Sequence, residues 1–184
     1  RGIKQTPVSI GDMEAYVGDL AIKNDWKINK KAEAKNKKVA VIGGGPTGLT
    51  CSAVLARNGY QVTIYEKHDQ LGGIMSHGIP DFRLDREVLQ KTVDKILELG
   101  IEAKLNAELG QDYTLDSLLQ EYDAVYLGFG ANISSKMGIE GESLEGVLGG
   151  NELLENNTHP DYTGKTVIVS GGGNVAMDTS RTVK

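Results

Sequence analysis

The sequence predicts an α/β fold built on a parallel sheet, and three observations predict it. A short apolar run, Val39-Ala-Val-Ile42, ends in the glycine turn Gly43-Gly-Gly-Pro-Thr-Gly48. A helical stretch from Leu49 to Asn58 follows, stopped by Gly59, and a second run, Gln61-Val-Thr-Ile-Tyr65, comes next. Strand, turn, helix and strand in that order make one βαβ unit, with parallel strands and a right-handed crossover. The strand-and-glycine pattern then returns at Thr166-Val-Ile-Val169 and Gly171-Gly-Gly-Asn-Val-Ala176.

Residues 8–26 read as an amphipathic helix, opened by Ser9 or Gly11, with Met13, Tyr16, Val17 and Leu20 at helical spacing. Residues 27–38 are lysine-rich (Lys27, Lys30, Lys31, Lys35, Lys37 and Lys38) and read as a solvated linker. A helix is expected over 86–99, capped by Asp85, with Val88, Leu89, Val93, Ile96 and Leu97 on one face and Gly100 as its stop. Strands are expected at Ile101–Leu105 and Ala124–Leu127, with a short helix between them at Thr114–Gln120. Residues 132–150 read as loop, 151–156 as a helical turn, and 166–169 as a final strand.

Composition narrows the class. Hydrophobic residues make up 39% and charged residues 24%, which fits a globular chain rather than a disordered one. The formal charge of −5 gives no general attraction to nucleic acid or membrane phosphate. No apolar run reaches the roughly 18 residues of a membrane span. The single cysteine, Cys51, makes neither an internal disulfide nor a CxxC pair, and a reducing, cytoplasmic setting is expected. His68, His77 and His159 share no ligand spacing, so no metal site is expected. The chain starts at Arg1 rather than Met and stops at Lys184 within a helix just begun, and it reads as a piece of a longer protein.

Gly43, Gly45 and Gly48 fit G-x-G-x-x-G between a strand and a helix. Gly43 makes the tight turn, Gly45 lets backbone approach a pyrophosphate, and Gly48 lets the helix pack on the strand. Thr47 offers an N–H and a hydroxyl at the helix start, where anions bind, while Pro46 has no N–H to give. The second strand ends at Glu66, 23 positions after Gly43, where a carboxylate accepts hydrogen bonds from ribose hydroxyls. The arrangement predicts dinucleotide binding. It does not separate FAD from NAD, because both carry a ribose and a pyrophosphate.

Four stretches carry a family resemblance: VAVIGGGPTGLTCSAVLARNGYQVTIYEKHDQLGG, GIPDFRLDREVL, YDAVYLGFGA and GKTVIVSGGGNVAMDTSR. They resemble the small (beta) subunit of NADPH-dependent glutamate synthase and its relatives. Those relatives include the flavin subunit of NADH-dependent ferredoxin:NADP oxidoreductase and the N-terminal part of dihydropyrimidine dehydrogenase. The resemblance implies a Rossmann-like FAD-binding domain with an NAD(P)-binding domain inserted into it. Residues 1–37 would then be the N-terminal helix and linker after an iron–sulfur segment, 38–150 the first part of the FAD domain, and 151–184 the start of the NAD(P) domain.

The resemblance also implies site residues. Gly43 to Gly48, Glu66 and Lys67 would hold the ADP half of FAD. Gly72, Gly73, Met75 and Arg83 would lie near pyrophosphate and flavin, Leu109 near adenine, and Gly128, Gly130 and Ala131 under the flavin. Gly171, Gly173, Asn174, Val175 and Ala176 would take NADP or NAD, with Asp178 and Arg181 near its nicotinamide end. His77 and Phe129 depart from the family, where a Tyr or larger aromatic and a Thr are expected.

The implied activity is electron transfer from NAD(P)H through FAD to iron–sulfur clusters. Those clusters would be held elsewhere in the parent, and the partner would be a large glutamate synthase-type subunit or another acceptor. No residue of this chain is expected to be catalytic in itself, since the flavin carries the chemistry, and this stretch alone is expected to be inactive. The competing reading is a non-catalytic nucleotide-binding module. A thioredoxin-reductase-like activity fails for want of a redox cysteine pair. Arg83 suits a phosphate or an anionic flavin, against a plain ion pair as the alternative.

Overall fold

The computed structural model describes residues 6–28, 32–156 and 159–184. Its centre is a four-stranded parallel sheet. The strands are β1 (Lys38–Ile42), β2 (Gln61–Tyr65), β3 (Glu102–Lys104) and β4 (Ala124–Leu127), in the order β3-β2-β1-β4. Ile42 stands opposite Tyr65 on one side and Leu127 on the other, so three strands finish level with one another. That common C-terminal edge is where an open α/β sheet presents its crevice.

Both faces of the sheet are covered. Val39 and Val41 point to one side, Ala40 and Ile42 to the other, and all four are buried. This is why β1 reads as a continuous apolar run and not as an alternating one. On the first side pack α2 (Pro46–Arg57), through Leu49 and Ala56, and α4 (Arg86–Leu97), through Leu89 and Val93. On the second side α5 (Leu115–Glu121) brings Leu118 against Ala40, Ile42, Tyr65 and Tyr122. The helix starts are those the sequence announces. Asp85 Oδ1 accepts from the N–H groups of Glu87 at 2.7 Å and Val88 at 3.2 Å. Thr114 closes a capping box with Ser117.

Two expectations are corrected, for the N-terminal helix and for the last strand. The N-terminal helix α1 spans Ile10–Lys23, but Met13, Tyr16 and Val17 are exposed. Charge ties hold its end to α4, where Lys95 pairs with Asp25 and Lys27 Nζ lies 3.1 Å from Glu98. The described part of the linker is exposed, and contacts with the domain pin it. Lys37 Nζ lies 2.6 Å from Asp123 and the Lys35 N–H donates to the Gly59 carbonyl at 3.0 Å, while Lys30 and Lys31 fall outside the described residues. Thr166–Val169 is not a strand, and Ile168 is 90% exposed. A strand exists by pairing, and among the described residues no neighbour offers this segment a ladder. The helix after it forms nonetheless, as α7 (Asn174–Thr182) with Gly173 as N-cap. Two further helices bear on the site: α3 (Ile74–His77) and α6 (Gly150–Asn156).

Candidate dinucleotide cleft

At the C-terminal ends of β1, β2 and β4 lies a cleft of about 630 Å³, a size that suits a cofactor. Its floor is the first glycine loop. Gly43 has φ +100, and its N–H donates to the Tyr65 carbonyl at 2.8 Å. A Cβ there would stand 2.4 Å from the Gly128 oxygen, so the β4 turn closes directly on the loop. A Cβ on Gly48 would stand 1.9 Å from the Gly43 oxygen, the close helix-to-strand contact that the third glycine exists to allow.

Gly45 differs from both. It has φ −76, and a Cβ would meet nothing nearer than Gly73 Cα at 3.7 Å. Protein packing therefore does not require a glycine at 45. The space beside it is cleft, bounded by Gly45, Pro46 and Thr47 at the start of α2, where the first N–H groups have no helical partner. The residues present thus fit a pyrophosphate: an open approach to backbone and a helix dipole of the right sign.

Glu66, 4% exposed, lines the cleft at the end of β2. Its Oε2 accepts from the Gly44 N–H at 2.7 Å and its Oε1 from the His68 N–H at 3.0 Å. The carboxylate is fixed in place by two backbone donors and keeps acceptor capacity on each oxygen. Gly72 and Gly73 fold over this loop. The Gly72 N–H donates to the Gly44 carbonyl at 2.8 Å, and Gly73 has φ +55.

The cleft gathers most of the residues singled out from sequence. Gly43, Gly45, Pro46, Thr47, Glu66, Lys67, Gly73, Arg83, Leu109, Gly128, Gly130, Ala131, Asn174 and Val175 all line it. Gly48, Gly72, Gly171, Gly173 and Ala176 do not line it. Gly48 and Gly72 shape the first loop, and Gly171, with φ +123, shapes the second. Met75 packs against the core beneath. Arg83 faces Asp178, with Nη1 at 2.9 and 3.1 Å from its two oxygens, and Arg181 lies over the Phe82 ring at 3.9 Å. The helix that follows the second glycine loop thus reaches the same cleft, through Asn174, Val175 and the Arg83–Asp178 pair.

Of the remaining wall, sequence reasoning found Lys67 but not its partners. Lys67 Nζ at 3.5 Å, His68 Nε2 at 3.0 Å and Asn132 Nδ2 at 2.9 and 3.0 Å converge on the Glu155 carboxylate of α6. Burial works against that charge, but the Asn132 hydrogen bonds and the Lys67 and His68 charges outweigh it, and the carboxyl sits below its usual range. His68 stacks on His77 with centroids 4.0 Å apart. His77 Nε2 is buried without a partner among the described residues, and burial, then the neighbouring His68, lowers its pKa. Tyr113, packed on Tyr65 at 4.6 Å, has its phenol pushed up to about 12, chiefly by burial. No short-range periodicity joins 67, 68, 132 and 155, so only the fold brings them together. Among the described residues no group of His, Cys, Asp or Glu could hold a metal ion, and no helix is long and apolar enough to cross a membrane.

Comparison with known proteins agrees with this geometry. Residues 41–89 match the NAD(P)-binding Rossmann-like domain. The chain is 40% identical over 189 residues to the glutamate synthase [NADPH] small chain of Escherichia coli, covering 95% of this chain and 40% of that protein. It is 42% identical to the NADP(+)-dependent formate dehydrogenase subunit beta of Moorella thermoacetica, covering 98% of this chain and 29% of that protein. Among solved structures, Mycobacterium tuberculosis FprA in complex with NADPH superposes with a TM-score of 0.66 at 23% identity, over 79% of this chain and 36% of that one, which bears on the fold alone. The chain thus spans less than half the length of these relatives, and within that span it is similar to glutamate synthase small chains and related oxidoreductases.

Proposed function

We propose that the cleft binds FAD and that the chain is the flavin-binding part of an NAD(P)H-dependent oxidoreductase of the glutamate synthase small-chain type. The observation that carries this reading is the Gly45 backbone, left open to the cleft by the protein's own packing while Glu66 is fixed beside it. The Gly43–Gly48 loop binds the pyrophosphate through helix-start N–H groups, and Glu66 accepts from a ribose hydroxyl. Gly73 and the Gly128–Ala131 turn present backbone to the rest of the cofactor. The flavin, when bound, accepts hydride and passes on single electrons, and this chain's residues bind it, orient it and exclude water.

In this reading residues 38–150 belong to the FAD domain. Residues 151–184 open the nicotinamide domain, whose loop at Gly171–Ala176 takes NADPH or NADH. The names of the relatives, an NADPH glutamate synthase chain and an NADP-dependent subunit, support NADPH. Iron–sulfur clusters elsewhere in the protein, and a large subunit or another acceptor, receive the electrons. The lone free thiol Cys51 supports a reducing, cytoplasmic setting.

The experiment is anaerobic addition of NADPH to the full-length protein carrying Gly173→Leu, followed at the flavin's visible band. Bound FAD is expected to stay in place while reduction slows by about 100-fold or more, since a side chain at the loop displaces the nucleotide. Loss of FAD with reduction of the remainder unimpaired would mean that the two loops serve the opposite cofactors.

A further inference from the structure

We propose that α6 is a strap across the cleft, clasped shut by Glu155, and that its release gates the entry and exit of the dinucleotide; this rests on reading the cleft as a dinucleotide site. Asn151, Leu154 and Glu155 of α6 form the wall facing the glycine loop and Glu66. Leu153 and Leu154 are buried, so the helix has an apolar underside to hold it down. Its outer tie is the Glu155 carboxylate, which accepts from Asn132 and pairs with Lys67 and His68.

Lys67 and His68 directly follow Glu66, the carboxylate placed to meet a ribose. The ligand contact and the clasp therefore occupy three successive residues, and a nucleotide drawn onto Glu66 acts on the same backbone that holds the strap. The far end of α6 is tethered separately. Glu152 accepts from the Ser134 N–H at 2.9 Å, and the Asn151 N–H donates to Ser134 Oγ at 3.1 Å. With that tether intact, breaking the Glu155 contacts frees one end of the helix and leaves the other in place.

The closed arrangement carries a cost at the same point. The His68 ring, held by Glu155, stacks on His77, whose Nε2 is buried without a partner among the described residues. A buried polar atom without a hydrogen bond is unfavourable, and swinging His68 away lets water or ligand reach it. Two states follow: closed, with Glu155 satisfied and His77 unsatisfied, and open, with the reverse. A ligand that favours one of them shifts the population.

The test uses the full-length protein and Glu155→Gln, which keeps the shape and the Asn132 hydrogen bond but removes the charge. Amide hydrogen exchange across 150–156 is measured without any nucleotide, and FAD release is measured by recovery of flavin fluorescence. Exchange of these amides and FAD release are each expected to rise by about ten-fold, as for loss of a charge-assisted contact. Lys67→Met, which opens the clasp from the other side, is expected to raise the same exchange. Unchanged exchange in both variants overturns the clasp whatever the ligand. Raised exchange with unchanged FAD release overturns the gate and leaves the cleft assignment standing. A wild-type protein that binds no FAD overturns the cleft assignment, and the gate with it.

Discussion

At Gly48 one hydrogen separates a working turn from a collision. The Cβ of an alanine there would lie 1.9 Å from the Gly43 oxygen, a backbone atom that cannot swing aside. Gly48→Ala is expected to destabilise the protein by about 2–3 kcal/mol, the scale of an overpacked core site, and a denaturant midpoint shifted at unchanged slope will show it. Tyr113 gives a residue-scale prediction in pH. Its phenol, pushed up to about 12 by burial, favours the neutral form in the folded state. A raised folded pKa means stability that is complete below the ordinary value near 10 and is lost as pH climbs through the folded one. Thermal stability is expected to fall between about pH 10 and 12, and Tyr113→Phe is expected to remove part of that fall; an unaltered profile in the variant would count against it. The residues readable in advance were those with a fixed local task, such as Gly43, Gly48 and Glu66. Glu155, Asn132 and His68 have no local task, and they meet through the sheet and α6 alone.

Among the elements, those with a start signal and a partner formed as expected. Asp85 precedes an apolar stripe and caps α4 with two hydrogen bonds. Asp85→Ala is expected to cost about 1 kcal/mol, read as a drop in melting temperature, while Asp85→Asn, which still caps, is expected to lose much less. Where partner and pattern disagreed, the partner decided. Thr166–Val169 has the composition of a strand, yet among the described residues nothing pairs with it. In α1 the helical period is right, but the stripe of Met13, Tyr16 and Val17 stays exposed, because the helix is tied to α4 through Asp25, Lys27, Lys95 and Glu98. Periodicity reports what an element could bury, and only the neighbour determines whether it does. The lysine-rich stretch reverses the case. It reads as solvent-loving, and Lys37 and Lys38 staple it to Asp123 beside β4.

Across the whole molecule, the parallel sheet turns separate stretches of sequence into one cleft. The strand order β3-β2-β1-β4 sets Gly43, Glu66 and Gly128 side by side at the ends of three strands. The Arg83–Asp178 pair then brings α7 to the same edge. Fold class and the position of the cleft were legible in the sequence because both follow from one βαβ unit and its glycine loop. The cover over the cleft was not, because it depends on contacts between residues 67 and 155 that leave no pattern. On the proposed reading, Gly45 is glycine for the sake of a ligand and not for the fold. The most direct test is equilibrium titration of FAD into wild type and Gly45→Ala, with melting temperature measured on the same samples. One FAD per chain is expected in wild type, with affinity weakened by at least about ten-fold in Gly45→Ala and a melting temperature of the unliganded protein that does not change. Equal FAD affinity in the two proteins, or no binding to either, would contradict it.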